Sequence, residues 1–168
     1  SSDLDEIIEY LRTAGVASWC RDGVEADDWV AGVARRAAAA GAEVVIASAD
    51  KDFMQLVGAG IGLVNPNDKA ERIWTEAEVV QKTGVLPGQV VDWLSLVGDS
   101  VDNIPGVPGV GPKTATSLLQ QFGSVAALYG RLGEVGSERI RQHLAESRTC
   151  LQRNQELIRL REERSEEH

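Results

Sequence analysis

The sequence predicts an α/β fold with a mostly parallel sheet flanked by helices, followed by a helical region that holds a glycine-rich hairpin. Three observations support this fold class. The run EVVIAS (residues 43–48) has four apolar residues without polar alternation, which is typical of a strand covered on both faces. An amphipathic helical pattern, EADDWVAGVARRAAAAG, precedes this strand. The stretch GDSVDNIPGVPGVGPKTA (residues 98–115) places four glycines between two helical patterns.

The α/β region is predicted to span residues 1–84. Its helix has acids in the first turn and Gly41 after the last turn, as expected for a helix start and stop. One face of this helix is apolar and is predicted to pack on the sheet. That face consists of Ala26, Trp29, Val30, Val33, Ala34 and Ala37. Two further strands are predicted at Ile61–Asn65 (IGLVN) and Arg72–Trp74 (RIW).

From Thr75 onward the chain is predicted to be helical, and residues 85–168 form the C-terminal region. Thr75 and Glu78 have the spacing of a capping box at a helix start. Pro87 and Pro112 each open a further helix, the second of which runs to Phe122. Apolar residues near helical spacing then predict an amphipathic helix that closes the core. They are Ile140, Leu144, Leu151 and Ile158.

The composition and the charge of the chain limit the classes of protein to which it can belong. The chain has 168 residues, of which 43% are apolar, and a net charge of −9. No stretch approaches the roughly 20 apolar residues of a membrane span, and the N-terminal residues lack the basic start of an export signal. We therefore expect no membrane association and a cytoplasmic location. Cys20 and Cys150 do not form a ligand cluster, and His143 and His168 lie far from the acidic motifs, so no zinc site is expected.

Acidic side chains are grouped at three places in the chain. The groups are Glu25, Asp27 and Asp28 at a helix start, Asp50 and Asp52 after the strand, and Asp99 and Asp102 after a second helix. Ligands of open α/β sheets gather at the carboxyl ends of the strands. Like charges that a fold brings together raise each other's pKa unless a cation lies between them. Mg²⁺ is the predicted cation, because it binds carboxylate oxygens.

Each acidic group also has a purely structural interpretation. Acids in a first helical turn stabilise the helix dipole, an Asp-x-Asp after a strand is commonly a helix cap, and GDSVDN is compatible with a plain turn. The metal hypothesis therefore depends on the co-occurrence and order of the three groups. If the acids hold cations, they must be considered together with the metal, and the negative net charge no longer argues against binding to nucleic acid.

The glycine-rich stretch predicts a tight hairpin between two helices. Gly106, Gly109 and Gly111 are predicted to permit positive φ angles, and Pro112 starts a helix whose free N–H groups face outward. Such a surface contacts a phosphate backbone through main-chain donors, Lys113 adds positive charge, and no base sequence is read. The hairpin is therefore predicted to be a sequence-neutral DNA clamp; the alternative is a tight turn without a ligand.

Three stretches, in this order and spacing, resemble the motifs of the 5′-nuclease family. This family includes the 5′ to 3′ exonuclease domain of bacterial DNA polymerase I and its flap endonuclease relatives. The stretches are VEADDWVAG, IASADKDFMQLV and LVGDSVDNIPGVPGVGPKTATSLLQQFGS. The resemblance implies a PIN-like α/β core and a helix-hairpin-helix at about residues 95–122. It also implies a bacterial, nucleoid-associated enzyme that hydrolyses DNA phosphodiesters near 5′ ends, as an exonuclease or a flap endonuclease.

The resemblance further implies two divalent ions, Mg²⁺ or Mn²⁺. The acids that match those around the first ion and its waters are Glu25, Asp27 and Asp28. Those that match the acids around the second ion are Asp50, Asp52 and Asp99, and Asp102 completes that motif. The resemblance assigns the catalytic role to Asp27, Asp50, Asp52 and Asp99.

In the family, the helix-hairpin-helix grips the duplex backbone and binds K⁺ through backbone carbonyls. The residues that match its DNA contacts are Gly106, Gly109, Val110, Gly111, Lys113 and Thr114. The candidate carbonyl ligands of K⁺ are those of Val107 and Val110. The implied partner is duplex DNA with a 5′ end or a flap, and a polymerase or a separate N-terminal segment are further implied partners.

The beginning of the chain departs from the family pattern. Family members start with a strand ending in a metal-binding Asp, followed by a second Asp and a basic helical arch. This sequence starts with SSDLDEIIEYLRTAGV, which resembles the helix that leads out of the arch, and Asp3 and Asp5 are poor substitutes for the two acids. We therefore expect an N-terminally incomplete chain that lacks two metal ligands and the arch.

Three functional hypotheses follow. The first is a metal-dependent 5′-nuclease, and the second is a DNA-binding module without catalysis that uses the hairpin. The third is a haloacid-dehalogenase-like phosphatase with Asp50 as nucleophile and Asp52 as acid, which leaves GDSVDN and the hairpin unexplained.

Overall fold

The computed structural model describes residues 2–19, 23–70 and 72–161. Cys20 and His168, considered above for zinc, lie outside these ranges. The helices are α1 (Ser2–Thr13), α2 (Ala26–Ala39), α3 (Glu76–Thr83), α4 (Val90–Val97), α5 (Pro112–Phe122), α6 (Val125–Gly130), α7 (Glu138–Glu146) and α8 (Arg148–Ile158). The strands are β1 (Val44–Ala47), β2 (Ile61–Val64), β3 (Gly98–Asp99) and β4 (Ile104–Pro105). Short 3₁₀ helices lie at Lys51–Leu56, Pro87–Gln89 and Leu132–Glu134.

Strands β1 and β2 pair in parallel, with Val44 opposite Ile61. The predicted strand at Arg72–Trp74 is reduced to one antiparallel bridge, in which Trp74 and Leu63 exchange both backbone hydrogen bonds. It stops there because Thr75, the next residue, already caps α3. The parallel pairing of the two strands agrees with the predicted fold class, whereas the third strand was predicted too long.

The strand β1 is covered on only one face among the described residues, contrary to the prediction. Ile46 is buried, whereas Val45, on the opposite face, is 49% exposed. Val33, which was predicted to lie on the buried face of α2, is also exposed. An apolar run therefore indicated a strand correctly but did not show how many layers cover it.

The apolar core has two clusters that meet at α4. One cluster surrounds β1, β2 and the 3₁₀ helix Lys51–Leu56, and it includes Val90 and Leu94 of α4. The second lies among α5, α6, α7 and α8 and includes Leu96 of α4. The Trp93 side chain packs against both clusters. Helix α4 thus connects the α/β part to the helical part and fixes the position of the hairpin that follows it.

The C-terminal apolar pattern forms two helices instead of the single predicted one. The helix ends at Glu146 and restarts at Arg148, with Ser147 between them. Leu144, Leu151 and Ile158 are buried as predicted. Within the part of the chain that the structure describes, none of the helices has the length and apolar character needed to cross a membrane.

Candidate metal centre and nucleic-acid interface

The acids after β1 are positioned by a local cap. Asp50 is the N-cap residue of the 3₁₀ helix Lys51–Leu56, and its Oδ1 accepts a hydrogen bond of 2.9 Å from the backbone N–H of Asp52. The Ser48 hydroxyl accepts a bond from the backbone N–H of Asp50. The structural interpretation of Asp-x-Asp as a cap is therefore confirmed, and it leaves Asp50 Oδ2 free for another role.

Asp99 lies at the start of the hairpin and is the most buried of the candidate metal ligands, with 7% of the residue exposed. Its Oδ1 accepts a hydrogen bond of 2.9 Å from the backbone N–H of Val101. This bond forms a turn, as the structural interpretation of GDSVDN predicted. Its Oδ2 accepts a bond of 2.7 Å from the Lys51 ammonium group. The Lys51 hydrogen bond lowers the pKa of Asp99, so this carboxylate is ionised at neutral pH.

The acids at the start of α2 face the same region. Burial raises the pKa of Asp27, and the negative charges of Asp50, Glu25, Asp28 and Asp102 raise it further. One of these acids has a second task. The Oδ1 atom of Asp28 accepts a hydrogen bond of 2.7 Å from the backbone N–H of Arg161, so it anchors the segment after α8.

Asp52 connects all three acidic groups electrostatically. Its pKa is raised to about 7, mainly by burial and further by the negative charges of Asp50, Asp102, Asp99 and Asp27. Carboxylates from three distant segments are therefore close enough to repel one another. Within the described ranges, however, no three His, Cys, Asp or Glu side chains are already close enough to hold a metal ion.

The chemistry of these side chains fits a hard divalent cation. Every candidate ligand is a carboxylate, and Mg²⁺ and Mn²⁺ prefer such oxygen ligands. The mutual repulsion that raises the pKa of Asp27 and Asp52 is relieved when positive charge enters the cluster. The structure thus brings the predicted acids into one electrostatically coupled region, and positive charge that enters this region is stabilised by several carboxylates.

The hairpin between α4 and α5 is held by a close approach of two glycine backbones. Gly98 has a φ of +82°, and it pairs with Pro105 in the two-residue β3–β4 ladder. A Cβ on Gly106 would overlap the carbonyl group of Val97 and lie 2.9 Å from the backbone nitrogen of Gly98. Glycine is required at 106 because the backbones touch, and this residue lacks the predicted positive φ.

The other two glycines of the hairpin differ from each other. Gly109 has the predicted positive φ of +77°, whereas Gly111 is extended with a φ of −92°. The prediction of positive φ was therefore wrong for Gly111, which serves as the N-cap residue of α5. Nothing lies within 4 Å of a Cβ built on Gly111, so its backbone is open to an approaching ligand.

The tip of the hairpin is rigid and carries few side chains. The backbone N–H of Val107 donates to the carbonyl of Leu96, and that of Val110 donates to the carbonyl of Val107 at 3.0 Å. Both valine side chains are buried. A ring nitrogen of His143 lies 2.7 Å from the carbonyl oxygen of Pro108 and braces the loop from α7. The K⁺ assignment to the Val107 and Val110 carbonyls stays a prediction.

Two lysines border a groove beside this hairpin. The groove has a volume of about 320 Å³ and lies between the end of α3, which carries Lys82, and the first turns of α5, which carry Lys113. Its walls are fixed because the Thr116 hydroxyl accepts a bond from the Trp93 indole and donates one to the Thr83 carbonyl. Within the described ranges, neither lysine ammonium group has an ion-pair partner. Thr114, in the first turn of α5, is half-buried.

Two family models together match nearly the whole chain. A model described as the N-terminal resolvase-like domain of 5′-3′ exonucleases matches residues 1–84, and one described as their C-terminal SAM fold matches residues 85–167. The chain belongs to the 5′-3′ exonuclease family. The resemblance inferred from the three motifs and the predicted fold class are thereby confirmed, and the phosphatase hypothesis is set aside.

Curated relatives carry nuclease and polymerase names. A 5′-3′ exonuclease of Aquifex aeolicus is 44% identical over 71% of this chain and 40% of the relative. The flap endonuclease Xni of Cronobacter sakazakii is 43% identical over 79% of this chain and 54% of the relative. DNA polymerase I of Rhizobium leguminosarum is 40% identical over 83% of this chain and 14% of the relative. The chain thus spans between 14% and 54% of the length of these three relatives.

Solved structures of the D15 protein of bacteriophage T5 share the fold. A T5 flap endonuclease in a pseudo-enzyme-product complex with DNA and metal ions superposes with a TM-score of 0.82 at 25% identity. The match covers 94% of this chain and 57% of the T5 chain. A second structure of the T5 D15 protein, co-crystallised with metal ions, gives a TM-score of 0.79 at 26% identity over 94% of this chain and 60% of the T5 chain.

Three residues that position the site were not identified from the sequence. Lys51 pairs with Asp99, His143 braces the hairpin, and Asn154 hydrogen-bonds the carbonyls of Ser95 and Pro105. The only local feature of the sequence that pointed to a role for Lys51 was its position between two aspartates. His143 and Asn154 belong to the amphipathic tail, where nothing in the spacing distinguishes a bracing side chain from a solvated one.

Asp52→Asn is expected to stabilise the metal-free protein at pH 8 but not at pH 4. The folded-state pKa of Asp52, about 7, lies above its ordinary value of 3.8. The folded state therefore binds this proton more tightly, and the stability contributed by Asp52 is lost as pH rises from about 4 to about 7. Because the side chain is partly exposed, we expect a gain of about 1–2 kcal/mol at pH 8.

Urea denaturation in EDTA at pH 4, 5.5 and 8 measures this effect. Glu43→Gln, an exposed substitution directly before β1, is the control for the loss of one negative charge, and its gain in stability at pH 8 should be smaller than that of Asp52→Asn. A gain from Asp52→Asn that is the same at pH 4 and pH 8 would contradict the assignment.

Proposed function

We propose that the chain carries the metal-binding and DNA-gripping parts of a structure-specific 5′-nuclease. Its reaction is the hydrolysis of DNA phosphodiesters near 5′ ends, as a 5′ to 3′ exonuclease or a flap endonuclease. The observation that carries this proposal is the convergence of carboxylates from three segments, next to a rigid hairpin, in a chain of the 5′-3′ exonuclease family. The relatives named as 5′-3′ exonuclease and flap endonuclease support it. Bacterial cytoplasm is the proposed location.

The acids divide between two proposed divalent ions, Mg²⁺ or Mn²⁺. Glu25 and Asp27 would hold the first ion, and Asp28 would support them through the oxygen that does not bind the Arg161 N–H. The proposed ligands around the second ion are Asp50, Asp52, Asp99 and Asp102. When bound, such ions lower the pKa of a bound water and stabilise the attacking and leaving oxygens of a phosphodiester. The T5 structures that contain metal ions support this assignment.

Three of these carboxylate side chains are oriented or partly neutralised before a metal ion binds. Asp50 keeps Oδ2 free while its Oδ1 caps the 3₁₀ helix, so the carboxylate is oriented before a ligand arrives. Asp52 holds a proton near neutral pH in the metal-free protein, which limits repulsion within the cluster. The Val101 N–H fixes the orientation of Asp99.

Duplex DNA is the proposed partner of the hairpin. The main-chain N–H groups of Gly109 and Gly111 and the Lys113 ammonium group would contact backbone phosphates, and the Thr114 hydroxyl would add a further donor. The Val110 N–H, which donates to the Val107 carbonyl, would hold the loop in shape for this contact. Gly106 would act indirectly, by allowing the close approach that shapes the loop. Lys82, across the groove, extends the positive edge toward α3. A K⁺ ion at the Val107 and Val110 carbonyls would complete this surface.

Asp50→Asn tests the metal site without removing the cap, because the asparagine side chain keeps the Oδ1 acceptor. We expect the wild-type chain to bind Mn²⁺ in calorimetry and Asp50→Asn to bind it at least about tenfold more weakly. The melting temperature of the metal-free variant should be unchanged or raised, because one repelling charge is removed and the cap is kept. Asp50→Ala should abolish binding and also lose the cap. Cleavage of a 5′-flap oligonucleotide in Mn²⁺ is measured in parallel. Absence of Mn²⁺ binding by the wild type at millimolar concentration would overturn the proposed metal site.

A non-catalytic DNA-binding module is the second candidate function. It is favoured by one observation, namely that Lys51 already occupies Asp99 Oδ2 in a cluster without a finished coordination shell. Metal-dependent cleavage of a 5′ flap by the isolated chain would exclude it. DNA binding without cleavage, unaffected or tightened by Asp50→Asn, would support it.

Lys113→Ala is expected to weaken binding to a 5′-flap duplex in EDTA severalfold and equally for unrelated sequences. The reason is that a lysine on a backbone phosphate carries no sequence information, and its loss lowers the slope of log affinity against log salt by about 1. Fluorescence anisotropy at several salt concentrations measures both quantities. Lys69→Ala, an exposed lysine in the turn after β2, is the matched control. An unchanged salt slope for Lys113→Ala would contradict the phosphate contact.

A further inference from the structure

Lys51 lies inside the acidic cluster rather than beside it. It stands between Asp50 and Asp52 in the sequence, and its ammonium group is 2.7 Å from Asp99 Oδ2. The Asp99 side chain is nearly buried, whereas that of Lys51 is 53% exposed. The positive charge therefore reaches inward from the surface to a carboxylate that has little access to water.

Both oxygens of Asp99 accept a hydrogen bond in the metal-free protein. The Val101 N–H occupies Oδ1 as part of the turn, and the Lys51 ammonium group occupies Oδ2. The first bond is fixed by the backbone and cannot be released without opening the hairpin. Each carboxylate oxygen can accept a second ligand, but a divalent ion at Oδ2 would lie within a few ångströms of the Lys51 ammonium group. Repulsion between the two cations therefore favours release of Lys51 when the divalent ion binds.

The two partners differ in their freedom to move. Asp99 is held by β3 and its turn, while Lys51 has a flexible four-carbon stem and a half-exposed side chain. An ammonium ion is also a weaker ligand for clustered carboxylates than a divalent ion, because it carries one charge instead of two. Movement of Lys51 toward solvent therefore costs less free energy than movement of Asp99.

We propose that Lys51 is an internal cation that occupies the Asp99 ligand position in the metal-free protein and competes directly with the divalent ion. This inference rests on the proposed metal site. Lys51 keeps the carboxylate cluster folded when no metal is bound, and it sets the metal concentration at which the site fills. It is a positioning residue, since it acts through Asp99 and leaves the site when the cation enters.

If Lys51 competes with the divalent ion for Asp99, two linked effects of Lys51→Met are expected. This substitution approximately keeps the length of the side chain and removes its charge. The variant should bind Mn²⁺ about tenfold more tightly than the wild type, because binding no longer has to break the ion pair. In EDTA it should melt at a lower temperature, because Asp99 loses its partner. Linkage requires that the difference in melting temperature shrink in saturating Mn²⁺.

Calorimetry with Mn²⁺ and thermal melting in EDTA and in Mn²⁺ test this on the full 168-residue chain. Lys69→Met is the matched control and should leave both the affinity and the melting temperature unchanged. An unchanged or weaker Mn²⁺ affinity of Lys51→Met, with normal binding by the wild type, overturns the role of Lys51 alone. Absence of Mn²⁺ binding in both proteins overturns the proposed metal site as well.

Two further measurements test the inference if Lys51→Met does not fold. Lys51→Gln carries the same expectations and is measured if Lys51→Met is not soluble. A crystal structure of the wild type grown with Mn²⁺ decides independently. Lys51 turned away from a metal-bound Asp99 supports the inference, and an intact Lys51–Asp99 hydrogen bond beside the bound ion overturns it.

Discussion

Gly106→Ala is expected to lower the free energy of unfolding by about 3 kcal/mol or more and to abolish DNA binding by the hairpin. The added Cβ would overlap the Val97 carbonyl, which is backbone and cannot rotate away. Relief requires separation of α4 from the hairpin, which breaks the two-residue ladder between β3 and β4. Asp99 belongs to that ladder, so Mn²⁺ affinity should fall together with stability. Urea denaturation, flap-duplex anisotropy and calorimetry measure the three effects.

Gly111→Ala is the matched control within the same hairpin. Its φ of −92° is open to any residue, and no atom lies within 4 Å of the added Cβ. We expect a loss of stability of no more than about 1 kcal/mol, because the weaker N-cap is partly offset by the lower conformational entropy of the unfolded chain. Equal losses of stability from the two substitutions would mean that glycine is needed for chain flexibility, and the close backbone approach at residue 106 would then be the wrong explanation.

Local signals predicted the helix starts correctly because their partners lie a few residues apart. Thr75 and Glu78 form the predicted capping box, in which the Glu78 carboxylate accepts the Thr75 N–H at 2.8 Å. Pro112 opens α5, which ends at Phe122 as predicted. In both cases the sequence within one helical turn determines the structure, so no knowledge of the tertiary fold was needed.

The convergence of the acids was predictable, whereas their hydrogen-bond partners were not. Acids that follow a strand and acids that start a helix are brought together by the general geometry of α/β sheets. The Lys51–Asp99 bond joins residues 48 positions apart, and the Asp28–Arg161 bond spans 133 positions. Such pairs depend on how α8 and the hairpin dock, which no local pattern specifies. Sequence reasoning therefore identified the candidate ligands but missed what holds them in the metal-free protein.

Asn154→Leu is expected to be the other strongly destabilising substitution. Asn154 is 1% exposed, and its amide donates to the Pro105 carbonyl at 2.7 Å and to the Ser95 carbonyl at 3.1 Å. Leucine has the same branching as asparagine, but it is larger and leaves both acceptors without this donor, at a cost of about 2–4 kcal/mol. The bonds connect α8 to the end of α4 and to strand β4 of the hairpin, so DNA binding should weaken as well. Urea denaturation and flap-duplex anisotropy are the measurements.

Gln152→Leu separates this effect from a general effect of placing leucine on α8. Gln152 is exposed on the same helix, and its replacement should change stability by no more than about 0.5 kcal/mol. Asn154→Asp then distinguishes loss of the donor from loss of shape. An ionised aspartate keeps the shape but offers no donor, whereas a protonated one offers a single O–H. Its destabilisation should therefore be larger at pH 8 than at pH 4, and a pH-independent loss would show that packing, and not the amide donor, makes Asn154 important.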